Sequence, residues 1–383
     1  MDTENYQIKR VESKRDLKQW VCFQLDHYRS CPQFVPPLIS EEIDTFSGKN
    51  PVKKIADFEL FVALDGHKPI GRIAAIVHHL EEKKLGYRRG RFGWFECIDD
   101  SSASRLLLDA AKNWLVSQNC VEMTGPHGFT DLDPEGLLIE GFQETPTIGG
   151  SYHYPFYQKL IAEYGFQKDA DYVEFQVPLP MPEPALFEKL RKRYEDKMPY
   201  VVKSCESKKE LLSIAPQFWA ILEESFEKLY GVTPLTSQQS EYYTKRYLSF
   251  LDPEFMQIAV SKESGKLVAF FLAMPGLSTA FQKAKGKLLP FGFWHLLRQS
   301  QKPTSMDFLL AGVKPGHPTS LLVSFLSMQI YQVARKRGIQ YFETNRELET
   351  NKTVNGIWSS FNGRLHRRSR VYKLELQAKK ESP

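Results

Sequence analysis

Three groups of residues in this sequence have the types and spacing to do chemistry. The first is the turn Lys314-Pro315-Gly316-His317-Pro318-Thr319-Ser320, between an apolar run, Asp307–Val313, and a helical pattern. Where a strand ends and a helix begins, unpaired backbone N–H groups point outward and the dipole favours negative charge. Gly316, His317 and the Thr319 and Ser320 hydroxyls are therefore candidate anion contacts. The second group is Glu343, Glu347 and Glu349, near the end of the next strand, which are candidate bases; a solvated or capping carboxylate is the plainer reading of each. The third is Tyr152, His153, Tyr154 and Tyr157 beside a glycine loop, an aromatic-lined pocket or simple packing. Cys97 lies on a strand with no adjacent His and reads as a core thiol.

The elements that position these groups are legible in the pattern. Leu322, Phe325, Leu326, Ile330, Val333 and Ala334 recur at helical spacing. Pro318 suits the first helical position, Lys336 and Arg337 complement the dipole, and Gly338 stops the helix. Ile339–Thr344 reads as a strand, Asn351–Phe361 as a shorter helix, and the segment with Arg364, His366, Arg367, Arg368 and Arg370 as a solvated edge strand. Those basic residues also suit a phosphate or an acidic partner.

Earlier in the chain, Ser13 caps a helix, Phe58–Leu64 and Ile70–His78 form a hairpin about Asp65-Gly66, and Lys83–Arg91 is a basic connection. Asp99 and Asp100 open a helix whose start they cap themselves. A strand, Val121–Met123, ends at Thr124-Gly125-Pro126; a long loop follows to about Tyr152, then a helix, Tyr154–Tyr164, and a strand, Asp171–Val177. Pro178-Leu179-Pro180-Met181-Pro182-Glu183-Pro184 is extended linker, since alternate prolines fit neither a helix nor a central strand. A charged helix (185–197), a strand (200–204) and a second hairpin (255–273) follow. Hairpin, strand, helix, strand, helix, strand thus occurs twice. The expected fold is α/β (α+β), two tandem domains with mixed, mostly antiparallel sheets flanked by helices: residues 1–180, a linker and helix 181–198, and residues 199–383.

Composition narrows the function. The 383 residues are 42% hydrophobic and 25% charged, ordinary for a globular protein. A net charge of +5 is too mild to imply nucleic acid. Five cysteines without CxxC or metal spacing, an N-terminus (Met1–Tyr6) unlike a signal peptide, and no apolar run near ~18 residues lead to an expectation of a cytoplasmic protein with no metal site and no membrane span. Leu288–Arg298, flanked by Lys283, Lys285, Lys287 and Lys302, reads as an interfacial helix, a pocket cover or a packed insertion.

Several segments together resemble a largely uncharacterised family of bacterial tandem GNAT-type proteins. They are Gly71–Val77, Gly125–Phe129, Gly136–Phe142, Tyr154–Tyr157 with Gly165-Phe166, Leu289–Gly292 and Glu349-Thr350-Asn351. The resemblance implies an acyl-CoA-dependent N-acyltransferase taking acetyl-CoA or another acyl-CoA and a small-molecule or peptide amine. It sets the thioester against Leu310, Ala311, Gly312 and Val313, with Asn351 beside the cofactor. Tyr157 would be the acid, Glu343 and Glu349 the bases, and Phe129, Tyr152 and Tyr154 an acceptor pocket. Against the family's glycine-rich pyrophosphate turn, this sequence has Pro318, Thr319 and Leu321 at the key positions, and the first half has Asp99–Ser104. Those departures leave two alternatives: a binding protein on an acyltransferase fold, and a Fem-type aminoacyltransferase.

Overall fold

The computed structural model describes residues 6–194 and 197–376. The readings that rest on Met1–Asn5 and on residues 195–196 fall outside them. The first half comprises β1 (Tyr6–Arg10), α1 (Lys14–His27), α2 (Ile39–Ser47), β2 (Ala56–Asp65), β3 (Lys68–His78), α3 (His79–Leu85), β4 (Arg89–Cys97), α4 (Ser101–Ser117), β5 (Glu122–Gly125), β6 (Leu137–Glu140), α5 (Phe156–Tyr164) and β7 (Gln167–Pro178). The second comprises α6 (Ala185–Tyr194), β8 (Tyr200–Ser204), α7 (Lys208–Phe226), α8 (Ser237–Arg246), β9 (Met256–Ser261), β10 (Leu267–Pro275), α9 (Ser278–Ala284), α10 (Gly292–Gln301), β11 (Ser305–Val313), α11 (Thr319–Lys336), β12 (Tyr341–Glu343), β13 (Glu347–Leu348), α12 (Lys352–Ser360) and β14 (Arg364–Glu375).

Local chemistry explains many boundaries. Ser13 and Asp16 form a reciprocal capping box at α1, and Gly165, in the left-handed region at φ 104°, ends α5. Three expectations are corrected. The connection 83–91 holds the end of α3, because His78 caps a helix there through Glu81 N–H. The long loop contains β6, paired with β14. Pro318 is the N-cap of α11 and not its first residue.

The strands join one sheet in the order β1-β2-β3-β4-β5-β14-β7-β12-β11-β10-β9-β8. The order reads alike from either edge, with β14 and β7 as the central antiparallel pair. Each half's fifth strand, β5 or β12, is therefore hydrogen-bonded to the last strand of the other half. This overturns the reading of β14 as a solvated edge. Arg367 is 1% exposed and its guanidinium lies 3.3 Å from Glu174 Oε2, also buried. Arg368 and Arg370 are ion-paired to Asp171, at 3.7 and 2.7 Å. Acids distant in sequence neutralise a stretch that reads as solvated in isolation.

Both faces of the sheet are covered. In the first half, α4 and α5 pack on one face around Leu107, Leu108 and Ile161, and α1 and α2 on the other around Trp20 and Phe46. In the second half, α11 and α12 cover one face through Leu322, Leu326 and Trp358, and α7 and α8 the other through Phe218 and Tyr243. Each such large apolar side chain stabilises the fold by roughly 1.5–3 kcal/mol. Among the described residues, no helix is long and apolar enough to cross a membrane.

Candidate active site

The two halves share a feature at equivalent places. β4 and β5 run parallel and pair over Arg89–Arg91 and Glu122–Thr124; β11 and β12 do the same over Ser305–Asp307 and Tyr341–Glu343. In each case the longer strand then carries a bulge, between its register partners Gly93 and Glu96 in β4 and Phe308 and Leu310 in β11. A bulge leaves one residue off the ladder and re-aims its backbone groups.

Beyond the pairing the halves diverge. In the first, residues after β5 continue beside β4: His127 N–H donates to Phe92 O at 2.9 Å. A Cβ on Gly93 would stand 2.5 Å from His127 O, so backbone fills the space. Phe129 is fully buried among Phe46, Phe58 and Trp94, in the core rather than in a pocket. Asp100 accepts from the N–H groups of Ser102 and Ala103 and closes the start of α4.

In the second half the chain leaves β12 for β7, where Thr344 N–H donates to Phe175 O and β13 pairs with Val173 and Tyr172. The edge of β11 from Phe308 to Val313 is left without a strand partner on that side among the described residues. Asn345 Nδ2 reaches across to Leu309 O at 3.5 Å. At the far end, no side chain among the described residues caps α11; Gly316 takes φ 86°, and the turn around it is largely exposed. His317 Nδ1 is 3.0 Å from Tyr200 Oη. Leu321 packs its side chain toward the α11 core. At the near end, Trp358 lies against Phe308 and Phe342, with ring centroids 5.4 and 5.6 Å away. Among the described residues, Trp358 Nε1 and Asn355 Oδ1 are buried with no hydrogen-bond partner, an expensive state unless something else completes it. Asn351 caps α12 through Val354 N–H.

A polar row crosses the sheet where β11 and β12 part. Asp307, Glu343, Gln176 and Arg364 are register partners on four neighbouring strands and so share one face. Gln176 Nε2 donates to Glu343 Oε1 at 2.9 Å, and His366 Nε2 lies 2.8 Å from Glu343 Oε2. Glu144, from the loop after β6, stands 3.6 Å from His366 Nδ1 and 2.6 Å from Arg364. Asp307 is 1% exposed; burial and then the Glu343 carboxylate push its carboxyl well above the usual range. Burial alone pushes Glu347, in β13, up to about 8. Glu349 is instead held low by Lys168, which donates to it, and by Arg368.

The remaining expected residues lie elsewhere. Tyr157 is fully buried; its hydroxyl donates to Cys97 O and accepts from Cys97 N–H at 2.9 and 2.8 Å, with His27 Nε2 2.9 Å away. Burial holds that hydroxyl well above its usual pKa. Tyr152 and Tyr154 pack with Tyr28 and Leu138 in a small aromatic cluster. These tyrosines therefore belong to the first half and are not brought to β11.

No family model matches the sequence. Over 378 residues the chain is 25% identical to Protein YghO of Escherichia coli (strain K12), covering 96% of this chain and 95% of that one. Over 379 residues it is 25% identical to a bacterial ceramide synthase of Caulobacter vibrioides, covering 96% of each. Among solved structures, it superposes on a tandem GNAT protein from the clavulanic acid biosynthesis pathway with a TM-score of 0.56 at 13% identity, over 97% of this chain and 98% of that one. The fold is that of a tandem GNAT protein.

In this tandem GNAT fold, sequence reasoning found Glu343 but passed over Asp307 and Glu144 as site residues. It noticed His366 only as one of a basic run. A lone Asp opening an apolar strand was the available signal for Asp307. For Glu144 there was none, because only the β14 exchange brings its loop to His366.

Proposed function

We propose that the chain is an acyl-CoA-dependent N-acyltransferase whose donor site lies in the second half, along the unpaired edge of β11. The carrying observation is the open gap at β11, set against the backbone-filled equivalent at β4. The first-turn N–H groups of α11 and the Gly316 turn would hold the pyrophosphate. Trp358 Nε1 and Asn355 Oδ1 are an orphan donor and acceptor suited to the amide-bearing arm. Leu321, turned to the core, leaves the turn open. A bound acyl-CoA supplies an activated thioester carbonyl.

The protein's own groups handle protons. Glu343 Oε2, with His366 Nε2 2.8 Å away, takes the proton of the acceptor amine. Burial and then the Glu343 carboxylate favour the protonated form of Asp307, which spares the pair two adjacent charges. Burial raises the Glu347 carboxyl to about 8, which favours its protonated form at neutral pH. The domain division near residues 178–198 belongs to this proposal, each domain being completed by the other's last strand. The relative named a ceramide synthase supports an amine on a lipid as acceptor.

A second reading, a binding protein without catalysis, is favoured by the filled gap and capped α4 of the first half. Calorimetric titration with CoA and acyl-CoAs of rising chain length, followed by thiol release with long-chain amines, separates the two. Micromolar binding with amine-dependent release supports the enzyme. Binding without release across those amines supports the binding protein, and no binding removes the donor site.

A further inference from the structure

The connection from β10 to β11, residues 276–304, is much longer than its counterpart from β3 to β4, residues 79–88. It carries the most exposed apolar side chains of a single described segment. Leu289 is 78% exposed, Phe291 74%, Phe293 59%, Trp294 55% and Leu297 45%. All five fall on α10 or the turn leading into it. Such a patch on a polar surface marks an interaction site.

Charge selects the partner. Residues 276–304 contain Lys283, Lys285, Lys287, Arg298 and Lys302 and no Asp or Glu, so five unopposed cations match the chain's whole formal excess of +5. All five are exposed, and none takes part in an ion pair among the described residues. Arg298 lies over the Trp294 ring at 5.4 Å, placing a cation beside an exposed aromatic. Apolar and aromatic side chains with a basic rim are the composition of a segment that lies in a bilayer's interface.

The base of the segment is anchored. Gln282 Nε2 donates to Pro32 O at 2.8 Å, Ser278 Oγ to Pro146 O at 2.7 Å, and Ile39 N–H to Gly286 O at 3.0 Å. Gln299 Nε2 of α10 donates to Gly276 O at 2.7 Å, and a Cβ on Gly276 would lie 3.3 Å from Asp307 Oδ1. The exposed helix is thus tied to Gly276, a residue that lies beside Asp307.

We propose that α10 and the turn before it dock the protein on an anionic lipid surface, with Leu289, Phe291, Phe293 and Trp294 entering the interface. Docking is independent of acyl transfer and is read without donor or acceptor. The full chain is sedimented with vesicles of phosphatidylcholine alone and of equimolar phosphatidylcholine and phosphatidylglycerol, at low and high salt. Binding is expected to the anionic vesicles, with a blue shift of tryptophan emission that Trp294→Phe removes, and weaker binding in high salt. Phe291→Asp/Phe293→Asp should lower the partition coefficient about a hundredfold, and Lys285→Glu/Lys287→Glu about tenfold. Circular dichroism confirms that these surface variants fold. Failure to bind anionic vesicles, or unchanged binding by both double variants, overturns the proposal. So does a concentration-dependent dimer that Phe291→Asp/Phe293→Asp abolishes, which would give the patch to a second copy of the chain.

Discussion

Asp307 of β11 and Glu343 of β12 are register partners at the last position where those parallel strands stay together, with their carboxyl groups on one face of the sheet. Immediately beyond them β11 bulges and its edge opens. A base at this point stands next to the strand edge along which the donor is proposed to lie. Glu343→Gln should therefore lower kcat/KM for the amine about a hundredfold or more while leaving the calorimetric affinity for CoA unchanged. His366→Gln should shift the pH profile of activity, because it removes the imidazole that lies 2.8 Å from Glu343 Oε2.

The folded-state pKa of Glu347, about 8, lies above its ordinary value of 4.5, so the native state binds this proton more tightly than the unfolded chain. Its contribution to stability is complete below the unfolded value and is lost as pH rises toward the folded one. Asp307 acts in the same direction. The melting temperature of the unaltered protein relative to that of Glu347→Gln should fall from about pH 5 to about pH 8. An equal slope in that variant would remove Glu347 as the cause.

Thr319 is the first residue of the uncapped helix α11. A carboxylate there satisfies the dipole from within, as the Asp100 cap does for α4, and repels a phosphate. Thr319→Asp should weaken CoA binding about tenfold, with a melting temperature equal to or slightly above that of the unaltered protein. Asp100→Ser should leave CoA binding unchanged.

Arg367 and Arg364 lie on the same strand but differ in environment. Arg367 is buried against Glu174 and also donates to Glu144 O at 3.2 Å, whereas Arg364 is half-exposed. Arg367→Met strands a buried carboxylate and should cost about 3–5 kcal/mol in urea unfolding. Arg364→Met should cost no more than about 1 kcal/mol.

What the sequence discloses follows from the range of the interactions. Caps and hairpins are local, so Ser13, Asp100, Gly165 and the Asp65-Gly66 turn could be read directly. The place of β14 could not, because pairing with β5 and β7 joins residues far apart in the chain. Its arginines look solvated until Glu174 and Asp171 are set beside them. The same limit governed the site. Glu343 announces itself near a strand end, but the closeness of Asp307, His366 and Glu144 to it is a product of the sheet.

The exchange of β7 and β14 also has a consequence for how the protein is made. A ribosome delivers the first half complete in sequence long before β14, the strand that lies between β5 and β7, has been synthesised. Until then β5 presents an unpaired edge to the cell, a template for the wrong neighbour. A stretch synthesised much later thus closes the sheet of the first half. Chains cut short before Arg364 should be left with that edge open and be cleared by proteases rather than accumulate as a stable single half.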